Sequence, residues 1–154
     1  MKCAPLLIPS VGLLLLVGLA GCSGFNQEYE QTLSSLPNTA NTIEGPWEGR
    51  WQSQSGHGGG KLRAILTKAG PETYVARFHA GYWGIFESDQ DTLFRVTGTT
   101  SPFKATGESD LGALKGGTYR YEATISPEKF DATYKSEDDH GIFSLERPKP
   151  KEKG

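Results

Sequence analysis

The chain predicts an all-β protein, a soluble antiparallel up-and-down β-barrel of eight or nine short strands. Three observations carry this. Apolar and polar residues alternate with period two over most of residues 45–147, as they do on a sheet with one buried and one wet face. Turn-forming clusters punctuate that alternation at spacings of roughly ten residues. No helical periodicity in the same region is long enough to cover a sheet, so closing the sheet on itself is the way to bury its apolar face.

The strands follow in order. Residues 47–54 open the domain. In 61–67, Leu62, Ala64 and Leu66 oppose Lys61 and Arg63. In 73–80, Tyr74, Ala76, Phe78 and Ala80 oppose Arg77 and His79. Weaker alternation marks 82–87, 93–99 and 103–107. In 118–125, Tyr119, Tyr121, Ala123 and Ile125 share one face; in 129–135, Phe130, Ala132 and Tyr134 do the same. A last strand runs over 141–147. Between them, 56–60, Ala69-Gly70-Pro71-Glu72, Ser88-Asp89-Gln90-Asp91, Glu108-Ser109-Asp110 and Ser126-Pro127-Glu128 read as turns. A membrane-spanning barrel would need strands of about nine to eleven residues with an apolar outer face. Here the outward positions carry Lys61, Arg63, Arg77, Arg120, Glu122 and Lys135.

Ahead of the barrel, Leu19-Ala20-Gly21-Cys22 follows an apolar run, 6–16, and the basic Lys2. This is the pattern of a bacterial lipoprotein signal peptide covering residues 1–21. The small residues admit the backbone to a narrow protease site, and the thiol accepts a diacylglyceryl group, so Cys22 is the lipidation site. Palmitate-like chains there provide a membrane anchor, since two chains already hold a protein stably. Ser23, rather than Asp, after the cysteine favours the outer membrane of the cell envelope over the inner. Of the two cysteines, Cys3 leaves with the signal and Cys22 is consumed, so the exported domain depends on its apolar core and not on a disulfide.

Residues 22–44 read as the lipidated cysteine and a flexible tether with a reach of about 25 Å. Phe25, Tyr29 and Leu33 are spaced for a short helix over 26–36, but isolated helices of this length are marginal. Residues 148–154 form a Lys/Pro tail without apolar content, expected to be disordered. With 16 basic and 18 acidic side chains, only Lys2 of them in the signal, nucleic acid is excluded as a partner.

Two patterns resemble the calycin superfamily of lipocalins and fatty-acid-binding proteins: Gly-x-Trp at the first strand, present as Gly45-Pro46-Trp47 and Gly49-Arg50-Trp51, and Arg147 ending the last strand. The Thr-Asp-Tyr element of many lipocalins and their C-terminal helix are absent. The resemblance implies a lipocalin-like barrel in which Arg147 lies over Trp47 or Trp51 and closes one end. Among small lipocalin-like domains of bacterial lipoproteins it supplies no activity.

Chemical motifs are few. His57, His79 and His140 stand in a glycine-rich loop, on an outward strand position and in a polar turn, without the spacing of a metal site. His140 with Asp138 and Asp139 is the best cluster, and no metal or cofactor is expected. The acidic turns lack the glycine and closing glutamate of a calcium loop. No nucleophile elbow, phosphate loop or Cys/His pair is present, so no enzyme activity is expected. The sequence favours a non-catalytic barrel binding a small ligand, with Tyr74, Phe78, Tyr121, Phe130 and Tyr134 as lining residues. The alternative is a structural or assembly lipoprotein whose partner is another envelope protein. A hollow barrel supports the first and a filled one the second.

Overall fold

Eight antiparallel strands pair in chain order, and the last returns to the first: β1 (Gly45–Ser53), β2 (Gly59–Lys68), β3 (Thr73–Tyr82), β4 (Phe86–Thr97), β5 (Phe103–Asp110), β6 (Thr118–Ile125), β7 (Lys129–Lys135) and β8 (His140–Glu146). The computed structural model describes residues 23–35, 41–82 and 86–149. Cys22, the signal segment and the tail beyond Lys149 lie outside the described residues. Closure runs through Gly49 opposite Leu145 and Trp51 opposite Phe143. The architecture is a closed up-and-down barrel, which leaves no open sheet edge for another chain to pair with.

Period two decides the interior. Along β8, Gly141, Phe143 and Leu145 are buried between exposed neighbours; along β7, Phe130, Ala132 and Tyr134 are buried between exposed or half-buried ones. One continuous core results, with Trp47, Phe94, Ile125, Phe130 and Leu145 fully enclosed. Burying each such side chain stabilises the fold by roughly 1.5–3 kcal/mol before entropy is subtracted. Aromatic residues alternate with Ala64, Ala76, Ala105, Ala123 and Ala132, whose small side chains make room for the rings. The outer wall is polar, with Lys61, Arg77, Arg120, Glu122 and Lys135 exposed.

The strand count settles at eight because β4 is one strand where the sequence suggested two strands and a turn. Ser88-Asp89-Gln90-Asp91 continues the ladder, with Asp89 opposite His79 and Asp91 opposite Arg77. These acidic residues mimic a turn in composition, but cross-strand basic partners compensate them on the outer face: Arg77 Nε reaches Asp91 Oδ1 at 3.1 Å and His79 Nδ1 meets Asp89 Oδ1 at 2.5 Å. Likewise β5 runs on through Glu108, Ser109 and Asp110, paired with Arg120, Tyr119 and Thr118. The residues before the barrel also depart from a flexible tether. A helix, α1 (Ser23–Ser35), lies against the outside of β1 and β2 and touches β3 through Phe25 on His79 and Glu28 at Arg77. Phe25 and Tyr29 are almost fully buried against Ile65, with Leu33 beside them. Tertiary burial thus supplies the stability that so short a helix lacks alone.

A candidate ligand cavity at the open mouth

The two ends of the barrel differ. At one end Trp47 is fully buried, edge-on to Phe130 with ring centroids 5.8 Å apart. Arg147 covers it: the guanidinium carbon stands 3.9 Å from the indole centroid. Its nitrogens donate to the carbonyls of Pro127 (2.8 Å), Pro46 (3.2 Å) and Thr42 (2.5 Å). Burial pushes the guanidinium down to about 10, against the pull of Glu128, so it remains charged at neutral pH. This end is plugged.

The other end is open, and the barrel holds a cavity of about 570 Å³ there. That volume is within the range of small-molecule sites, roughly 300–1,000 Å³. Its floor is apolar: the Phe78 ring lies 5.4 Å from Phe143 and 6.4 Å from Tyr121. Trp51 and Tyr82 meet at 4.9 Å on one side of the mouth, and Tyr119 and Tyr134 at 5.9 Å on another. The Trp51 indole N–H donates to the Gly81 carbonyl at 3.2 Å. That carbonyl can come so close only because Gly60 has no side chain; a Cβ there would lie 1.9 Å from it.

Polar groups sit at two places on this apolar wall. On one side Gln90 Nε2 donates to the Tyr121 hydroxyl at 2.8 Å, with Ser109 Oγ 3.3 Å from the same oxygen. On the other, Asp139 accepts from Ser53 Oγ at 2.6 Å and from the Tyr134 hydroxyl at 3.2 Å, while His57 Nδ1 lies 3.3 Å away. Burial opposes ionisation of Asp139, but the hydrogen bonds from Ser53, His57 and Tyr134 outweigh it and hold the carboxyl below the usual range. The Tyr121 and Tyr134 hydroxyls are pushed up, first by burial and in Tyr134 next by the Asp139 charge. The wall therefore offers the neutral Tyr121 and Tyr134 phenols, an amide and the Asp139 carboxylate, with Glu87 and Asp138 further out in the lining. Over the rim reaches the β5–β6 connection, with a 3₁₀ turn at Ala113–Lys115. Leu111, Leu114 and Lys115 of this connection join the lining.

Of the five lining residues expected from sequence, Phe78, Tyr121 and Tyr134 line the cavity. Phe130 and Tyr74 do not. Both point inward, but at the plugged end, where Phe130 packs under Trp47 and Tyr74 sits opposite Phe94. Alternation gives the face of a residue and not its height along the barrel. Trp51, read as structural, stands on the cavity wall, so of the two tryptophans only Trp47 takes the arginine. Their spacing of four held the clue: at about 3.4 Å per residue, Trp51 lies about 14 Å further along the strand. The sequence offers His57 and Asp139 only as metal-ligand candidates and Gln90 only as part of a turn; closure of β1 on β8 brings His57 and Asp139 together, and Gln90 meets Tyr121 across the barrel. His79 faces outward but is not solvated: helix α1 covers it, Phe25 stacking on its ring at 4.8 Å. Among the described residues no group of three His, Cys, Asp or Glu side chains is placed to hold a metal ion.

Fold and cavity together define a cup-shaped antiparallel barrel, plugged at one end and open at the other. No family model matches the chain, and neither does any curated protein. Among solved structures it is similar to a de novo designed fluorescence-activating β-barrel, at 17% identity and a TM-score of 0.49 over 71% of this chain and 100% of that one. A redesigned barrel, mFAP1, bound to DFHBI gives 15% and 0.47 over 68% and 94%. A mutant of the fluorescent protein UnaG gives 11% and 0.42 over 68% and 95%.

Proposed function

We propose that the chain is a lipid-anchored protein of the cell envelope, held through Cys22, whose barrel binds a small ligand without catalysing a reaction. The cavity carries this reading. Eight strands enclose space that side chains can fill completely, yet the upper half of this barrel is hollow while its lower half is packed. An apolar floor of Phe78, Tyr121 and Phe143 suits an apolar ligand body, and Asp139 with the Gln90–Tyr121 pair suits one or two hydrogen-bonding groups on it. The outer membrane is the favoured location, from Ser23 after the lipidated cysteine.

Two measurements test the two halves of the proposal. Titration of the barrel with 1-anilinonaphthalene-8-sulfonate should give one saturable site, and Ala80→Phe, which fills the cavity from β3, should weaken it about tenfold while the barrel stays folded. Unsaturable binding, or binding indifferent to Ala80→Phe, contradicts the ligand site. Metabolic labelling with a fatty acid should modify the parent and not Cys22→Ala; label on the variant contradicts the anchor.

A further inference from the structure

We infer that the open mouth of the barrel faces the bilayer in which the Cys22 lipid is embedded, so that its ligand enters from the lipid phase. This rests on the lipid-anchor reading of Cys22. The direction of α1 carries it. Near the start of the helix, Phe25 stacks on His79, which lies on β3 between the cavity residues Phe78 and Ala80. Asn26 accepts from Arg63 at 2.7 Å, and Glu28 pairs with Arg77. Further along, the Tyr29 hydroxyl donates to the carbonyl of Trp47, at the plugged end, at 3.3 Å. The helix therefore runs from mouth to plug, about 18 Å from Ser23 to Ser35 at 1.5 Å per residue. Cys22 is bonded to Ser23, its Cα about 3.8 Å from the next. The anchor leaves the barrel at the mouth end, and because α1 is docked, the mouth cannot swing away on a long leash.

The rim is suited to that neighbour. Leu114 is fully exposed (103%) in the Ala113–Lys115 turn, and Tyr82, at the end of β3, is 37% exposed. These are two of the four exposed large hydrophobic residues among those described, and both line the mouth. Around them, exposed Glu87, Asp110 and Asp138 outnumber Lys115. The rim thus has no basic excess to seek anionic lipid, and the surface it fits is a zwitterionic one, entered by apolar side chains.

The test uses the full lipidated protein, with a fluorophore on Lys115→Cys at the rim or on Glu128→Cys beside the plug. Each is placed in phosphatidylcholine–phosphatidylethanolamine vesicles containing nitroxide-labelled phospholipid. Quenching should be severalfold stronger at position 115 than at 128, and should fall at 115 when Leu114→Glu is added. Mass spectrometry of the same samples reads the acyl chains. Acylated, vesicle-bound protein with equal quenching at both positions, or stronger quenching at 128, overturns the orientation and leaves the anchored barrel standing. Protein that is neither acylated nor vesicle-bound removes the anchor and the orientation together.

Discussion

Arg147 and Trp47, a hundred residues apart in sequence, are stacked with the guanidinium carbon 3.9 Å from the indole centroid. The contact joins the end of the last strand to the start of the first. It also ties three otherwise separate carbonyls, those of Thr42, Pro46 and Pro127, to one planar group. A cation over an indole contributes roughly 0.5–2 kcal/mol, and carbonyls left unpaired at a buried site cost about 1–3 kcal/mol. The plug thus stabilises the closure of the barrel at the end where no ligand enters.

Replacing Arg147 by Ala should therefore lower stability by about 2–3 kcal/mol in urea unfolding. Arg147→Lys should lose nearly as much, because an ammonium cannot hold three carbonyls in one plane. Unchanged unfolding in Arg147→Ala would contradict the account of the plug.

Helix α1 is held by side chains and adds none to the barrel interior. Phe25→Ala should release it, since such truncations cost several kcal/mol in a packed site, about 3–5 kcal/mol. Limited proteolysis should then cut within residues 23–40 about tenfold faster or more, while the barrel beyond Gly45 resists as before. Equal cleavage rates in parent and variant would show that the docked helix does not protect this segment.

The cavity tyrosines make stability fall in alkali. The Tyr121 and Tyr134 hydroxyls are raised in the folded protein by burial, and Tyr134 further by Asp139. Above the ordinary phenol value of about 10 the unfolded chain loses these protons while the folded one keeps them, so each rise in pH favours unfolding. The urea midpoint should drop between about pH 9 and about pH 11, and the drop should shrink in the Tyr121→Phe, Tyr134→Phe double variant. A slope that the double variant leaves unchanged would contradict the assignment.

Most of this architecture is legible in the sequence, for a physical reason. A barrel interior is written in alternation, and 118–125 and 129–135 keep it throughout; 141–147 keeps it apart from the outward Ile142, and Arg147 follows Phe143 and Leu145 on the inward face. What composition conceals is pairing. Asp89 and Asp91 look like a turn until His79 and Arg77 stand opposite them, and Phe25 and Tyr29 look like part of a tether until Ile65 and His79 give them a surface. The cavity was half visible: Phe78, Tyr121 and Tyr134 follow from alternation. Phe130 and Tyr74 belong to the plugged end, because strand register, which sets height, is fixed only when the barrel closes. Asp139, Ser53 and His57 meet through that same closure.

The central claim is that the hollow upper half of the barrel receives a ligand, and amide chemical shifts test it residue by residue. With 1-anilinonaphthalene-8-sulfonate added to labelled protein, the amides of Trp51, Leu62, Phe78, Gln90, Tyr121 and Phe143 should move together along one saturating curve. Those of Trp47, Phe130 and Leu145, below the floor, should stay in place. Shifts confined to the outer wall, or spread evenly over both ends, would contradict it.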